Sequence, residues 1–201
     1  MRTLAKVLPV ICLVTLLISL FAAPAAAGPK DASGKDSTAA KTPPAKETLV
    51  VDWPKEGKWK AGIATTQENM TVEYYFPEGQ SAQDWMEMGS VEFYPGLLNV
   101  NLMGHARFIF LGTKEACPDA EWVIINRGTN DQGQPSITFR ISCPKFLVEQ
   151  SPEVQIWEII LGQTGLFTLQ YSFRGKDLPA PKREQMLTVF KTAHLKAEKG
   201  E

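Results

Sequence analysis

Past residue 47 the chain alternates between apolar and polar side chains. Val72, Tyr74 and Phe76 interleave with Thr71, Glu73 and Tyr75, and Ile137, Phe139 and Ile141 with Thr138, Arg140 and Ser142. Phe167, Leu169, Tyr171 and Phe173 interleave with Thr168, Gln170, Ser172 and Arg174. A period of two predicts strands with one buried and one polar face, the signature of an antiparallel sheet. Further strands are expected at Lys60 to Thr66, Met88 to Tyr94, Trp122 to Asn126 and Val154 to Leu161. The doubly apolar stretches Trp122 to Ile125 and Ile159 to Leu161 predict strands covered on both faces.

Two segments change rhythm. Leu98, Leu102, Ala106 and Ile109, joined by Met103 and Phe110, fall at helical spacing and predict a long mid-chain helix over Gly96 to Ala116, with Asn99, Asn101 and Arg107 outward and Gly104 and Gly112 weakening it. Pro179 and Pro181 open a second helix carrying Met186, Leu187, Phe190 and Leu195 on one side. Strands, a helix, four strands and a helix make an α+β domain with a mainly antiparallel sheet, spanning residues 48 to 197.

The N-terminus follows another logic. Arg2 and Lys6 precede an apolar run from Val7 to Ala22, and Ala25 and Ala27 fit small-residue cleavage before Gly28, so residues 1 to 27 read as a secretory signal peptide. The apolar run falls short of the ~20 residues that span a bilayer. Gly28 to Glu47 lacks any aromatic or branched aliphatic side chain and is expected to be a disordered tether. The exported chain loses Arg2 and Lys6 from 21 basic residues, leaving 19 against 22 acids, a net charge of -3. That balance argues against a nucleic-acid partner. The expected location is the periplasm or the medium, with no membrane span after cleavage.

Export also changes the cysteine arithmetic. Cys12 leaves with the signal, and Cys117 and Cys143 remain as a pair in an oxidising compartment. A hairpin of Trp122 to Asn126 and Ser136 to Ser142, turning between Asn130 and Asp131, places the two cysteines nearly opposite one another and predicts a disulfide.

Candidate chemistry is sparse. His105 and His194 both fall in the expected helices, and no G-x-S-x-G, H-E-x-x-H or P-loop pattern occurs, so no cofactor is expected. Glu73, Asp84, Glu87 and Glu92 are the acids from which a hydrolase would draw a carboxylate pair. Met70, Met86, Met88 and Met103, with His105, offer the soft ligands that suit Cu(I). The turn Phe76-Pro77-Glu78-Gly79-Gln80 followed by Trp85 suggests a groove lined by Tyr75, Glu78, Trp85 and Arg174, suited to an envelope protein or a small ligand.

Glu73-Tyr74-Tyr75-Phe76-Pro77-Glu78-Gly79-Gln80, Trp85-Met86-Glu87-Met88, Cys117-Pro118, Cys143-Pro144, Glu153 with Trp157 and Gly162, and Phe167 to Arg174 together resemble a family of small exported bacterial proteins without an assigned activity. Ser90-Val91-Glu92 departs from the Thr-Val-Gln run of that pattern. The order of elements is also similar to the PsbP-like class of α/β/α sandwiches, which are mainly binding and assembly factors. The resemblance implies a non-enzymatic binding or accessory domain.

Overall fold

The alternating segments all become strands. In the computed structural model, which describes residues 46–67 and 69–198, strands β2 (Lys60–Gln67), β3 (Met70–Phe76), β4 (Glu87–Pro95), β5 (Glu121–Thr129), β6 (Pro135–Cys143), β7 (Glu153–Leu161) and β8 (Gly165–Arg174) form one sheet. Its order is β2-β3-β4-β8-β7-β6-β5, and every neighbouring pair is antiparallel. The sheet is thus two meanders, β2 to β4 and β5 to β8, joined along β4 and β8. Two short strands missing from the sequence reading, β1 (Glu47–Val50) and β9 (His194–Ala197), pair separately. The expected signal peptide and nearly all of the expected tether lie outside the described residues. Glu47, counted with the tether, opens β1, and its carboxylate accepts the backbone N–H groups of Gln163 and Thr164 at 2.7 and 2.9 Å.

The mid-chain helix α1 is Leu102–Ala116, 15 residues, shorter than expected. Gly96 adopts φ +73° as the chain leaves β4, and Asn101 accepts the Gly104 N–H at 3.1 Å, so its side chain caps a helix that starts there. Helix α2 is Ala180–Thr192. It stops before His194, which belongs to β9 together with Leu195.

Each helix seals a different apolar cluster. Met103, Ala106, Ile109 and Phe110 of α1 pack with Ile137, Phe139 and Ile141 of β6 and Trp157 and Ile159 of β7. Met186, Val189 and Phe190 of α2 pack with Val154 and Ile156 of β7 and Leu169 and Tyr171 of β8. Alternate residues of β7 thus feed both clusters, so the strand is buried on both sides, as Ile159 to Leu161 suggested. The other doubly apolar stretch is a correction: β5 is an edge strand, and Val123 and Ile125 are 51% and 43% exposed. A second correction concerns β8, whose polar face was expected to meet water; Thr168, Gln170 and Ser172 are all buried.

Cys117 and Cys143 are joined, Cα to Cα 6.1 Å, but not for the reason the hairpin supplied. The β5–β6 turn closes over Asn130 to Gln134, with Asn130 Oδ1 accepting from Gln132 N and Gln134 N, and a bulge between Ile124 and Asn126 shifts the register so that Trp122 faces Ile141. Cys117 lies before β5 altogether, at the C-terminal cap of α1. The bridge therefore pins the end of α1 to the end of β6. With its ends 26 positions apart in the sequence, the crosslink contributes ~3 kcal/mol by chain entropy. The Cys117→Ala, Cys143→Ala double variant is expected to lose about that amount of unfolding free energy in urea titrations; an unchanged midpoint would show that α1 needs no pin.

Candidate functional site

The segment after β3 is a loop held by its own side chains. Gly79 has φ +85°, and the turn closes with Gln80 N bonding to Pro77 O at 3.0 Å. Ser81 and Asp84 exchange backbone hydrogen bonds at 3.1 Å each. Gln80 then reaches forward, its Oε1 accepting the N–H groups of Met86 and Glu87 at 2.6 and 2.9 Å. One glutamine amide thus fixes the loop to the start of β4.

Between this loop and the first half of β2 lies a groove of about 460 Å³, lined by Lys60, Ala61, Gly62 and Ile63 on one side and by residues 76 to 83 on the other. All eight residues of β2 are exposed, and its outer edge pairs with no strand among the described residues. Gly62 is required here, because a Cβ would come within 2.8 Å of the Phe76 ring. At the mouth, Glu78 accepts from Lys58 at 2.8 Å and Lys60 at 3.5 Å, and these cations hold its carboxyl below the usual range, the Lys58 bond most of all.

The four residues expected to line one groove are divided. Glu78 lines the groove just described. Trp85 is buried beside it in sequence, with the Arg174 guanidinium 4.1 Å from its ring centre, and the Arg174 N–H bonds to Met86 O. Tyr75 projects from the opposite face of the sheet to Arg174. Its ring lies 5.3 Å from Trp53, which stacks on Trp59 at 4.8 Å, and its hydroxyl donates to Glu73 at 2.6 Å. Burial, then the Glu73 carboxylate, pushes the Tyr75 phenol up. Only Trp85 and Arg174 touch.

Behind Arg174 runs a polar seam that the sequence reading missed. Ser90 Oγ donates to Gln170 Oε1 at 3.1 Å, and Gln170 Nε2 to Ser172 Oγ at 2.8 Å. Ser172 in turn bonds to Glu153. From the other side, Trp157 Nε1 donates to Gln155 Oε1 at 2.9 Å and Gln155 Nε2 to Glu153 Oε1 at 2.8 Å. Two chains of donors therefore end on one carboxylate near Arg174. Burial pushes the Glu153 carboxyl up, and Gln155, Ser172 and Arg174 offset part of that. Further along the same face, Glu92 accepts from Tyr94 Oη at 2.7 Å and Thr168 Oγ1 at 2.9 Å. Its carboxyl is also raised by burial. One signal was available: the polar positions 168, 170 and 172 of β8 are Thr, Gln and Ser, uncharged where a solvated strand face usually carries Lys or Glu.

The acids singled out for hydrolysis do not converge. Glu73 and Asp84 are exposed, Glu87 is tied to Lys182 at 3.0 Å and to Tyr171 at 3.0 Å, and Glu92 lies on the opposite sheet face from Glu73 and Glu87. The methionines divide into two groups. Met70 and Met103 share the apolar cluster beneath α1, which also holds Tyr94, whereas Met86 is 52% exposed beside the far end of β4. Tyr94 and Met88 lie six residues apart on one strand, roughly 20 Å. No group of three or more His, Cys, Asp or Glu stands ready to hold a metal among the described residues. His105 lies edge-on to Tyr94 at 5.8 Å, and burial lowers its pKa.

A further perturbed acid lies on the α2 side of β7. Glu158 is 3% exposed, and its Oε2 and the nearby Ser136 Oγ both lack a partner by hydrogen-bond geometry. Burial first, then Asp131, pushes its carboxyl from 4.5 up to about 8, with Ser136 close enough to offset a little. A folded-state value above the unfolded one means that the fold keeps a proton the unfolded chain has released. Glu158 therefore contributes stability that is full below about pH 4.5 and lost as pH rises to about 8. The difference in unfolding free energy between pH 5 and pH 8 is expected to shrink in Glu158→Gln; a difference equal to the parent's would assign the proton elsewhere. In comparison with known proteins, no family model matches this chain and no curated sequence matches it.

Proposed function

We propose that this protein is a non-enzymatic binding or accessory domain of the bacterial envelope, exported to the periplasm or the medium, that takes an extended segment of an envelope protein in the groove beside β2. The observation that carries the reading is the pairing of an open sheet edge with a clamped loop. An edge strand presents unpaired N–H and C=O groups that add a further strand, and natural sheets normally blunt such an edge with charge or cover. Here Ala61 to Gln67 carries no charge, Lys60 at the start of β2 is drawn to Glu78, and the loop beside the edge is fixed to the start of β4 by Gln80.

Other features agree with this reading. The joined cysteines suit an oxidising compartment. No helix among the described residues is long and apolar enough to cross a membrane. Apolar clusters sealed by α1 and α2 on opposite faces of the sheet favour the α/β/α sandwich of the PsbP-like class, and the Phe-Pro-Glu-Gly-Gln part of the motif lines the groove. The scattered acids and methionines favour binding over hydrolysis or copper.

Selection from a displayed library of random peptides is expected to enrich sequences that bind the exported protein. Ile63→Lys, which places a charge at a position 43% exposed in the groove, should weaken that binding tenfold or more without changing thermal stability. Peptides that bind Ile63→Lys as well as the parent would place the site elsewhere. Failure to enrich any peptide would remove the strand-addition reading.

A further inference from the structure

Helix α1 is more apolar than its packing needs. Its exposed positions, Gly104, Arg107, Phe108, Leu111 and Glu115, form one stripe at spacings of three and four, and Phe108 and Leu111 at its centre are 44% and 50% exposed. The stripe is extended at both ends. Leu97 and Leu98, 36% and 43% exposed, precede the helix, and Leu147 and Val148, 56% and 64% exposed, are fastened to its C-terminus by Leu147 N bonding to Ala116 O at 2.9 Å. Of the ten exposed large hydrophobics among the described residues, two lie on this helix and four in the loop segments next to its ends. Exposed apolar residues gathered in this way mark a contact surface.

The glycines of the helix add an independent observation. A helical glycine costs about 1 kcal/mol relative to alanine. A Cβ on Gly112 would meet nothing within 4 Å, and one on Gly104 only its own cap residue, Asn101, at 3.6 Å. Nothing inside the fold requires either residue to be glycine, and Gly104 within the stripe and Gly112 beside it leave room for a second helix.

We propose that this ridge joins two copies of the chain, α1 packing antiparallel on α1 about a two-fold axis between Ile109 and Phe110. The occupant follows from self-complementarity. An antiparallel pair with that centre sets Phe108 of one copy against Leu111 of the other. It brings the Leu97–Leu98 end of one helix onto the Leu147–Val148 end of its mate, so each exposed apolar residue meets an apolar counterpart. It also sets Glu115 opposite Gly104, one turn from Arg107, within reach of an ion pair across the axis. A parallel pair would instead oppose Arg107 to Arg107.

Sedimentation equilibrium of the exported protein over micromolar concentrations is expected to show a monomer–dimer equilibrium. Leu111→Glu should weaken it about 30-fold or more, as loss of a central anchor does, with the melting temperature of the monomer unchanged. Glu115→Arg should weaken it severalfold, and Arg107→Glu combined with Glu115→Arg should restore it. A monomer at every concentration would overturn the proposal. So would a dimer indifferent to Leu111→Glu, or one in which the double charge swap fails to recover what Glu115→Arg lost.

Discussion

Strand β8 is closed off from water on both faces, and this constraint governs the centre of the structure. It lies between β4 and β7, with Leu169 and Tyr171 sealed under α2 on one side and Thr168, Gln170 and Ser172 buried on the other. Buried polar side chains are costly unless their hydrogen bonds are made. Gln170 uses both ends of its amide, Thr168 donates to Glu92, and Ser172 passes the chain to Glu153. The seam therefore specifies register as well as satisfying polar atoms, because a slip of one residue would turn Thr168, Gln170 and Ser172 into the apolar cluster. Arg174 rests on Trp85 beside the Glu153 carboxylate, which accepts from Gln155 and Ser172.

Period two located the strands because alternation is a local property set by the pleat, and every expected strand is present to within a few residues. Which face meets water is not local. The sequence alone represents Gln170 and Arg174 alike as outward polar residues, yet one is buried between neighbouring strands and the other lies at the rim. The same limit governs β5, where Trp122 to Ile125 read as covered on both faces. Only the strand order, with β5 at the edge, shows that Val123 faces outward. Boundaries of α1 depended on Asn101 as a cap and on the left-handed Gly96, both visible as residue types but decided by where β4 ends. Strands β1 and β9 are four residues each and find one another across nearly the whole described chain, a pairing without local signal.

The candidate site was legible in part. The Pro-Glu-Gly-Gln turn does line the groove, since turn residues are a local feature, whereas Trp85 is buried against Arg174. The grouping of Tyr75 with Arg174 failed on parity: residues on neighbouring strands share a face only in a known register, and β3, β4 and β8 place them on opposite sides. The cysteine pair shows the converse. The bond is present although the hairpin register offered for it is wrong, because Cys117 reaches Cys143 from the C-terminal cap of α1 and not from a strand of the hairpin.

The two surfaces that the fold leaves open lie far apart, and their separation has a consequence. Helix α1 lies chiefly on β6 and β7, with His105 reaching Tyr94 of β4, whereas β2 is the opposite edge, with β3, β4 and β8 between β2 and β7. At ~4.8 Å per strand the β2 edge stands about 20 to 25 Å from β7 and β6. A dimer built on α1 therefore leaves both β2 grooves free. The β5 edge, which the dimer approaches, is broken by the bulge between Ile124 and Asn126 and carries Glu121 and Arg127, features that discourage edge pairing. The β2 edge has its own bulge, between Ala61 and Ala64, but no charge from Ala61 to Gln67. Both edges carry a bulge, but β5 bears Glu121 and Arg127 where β2 bears only Lys60 at its start, and a two-fold assembly would present two β2 edges to the same partner, raising avidity where a single groove of this size would bind weakly.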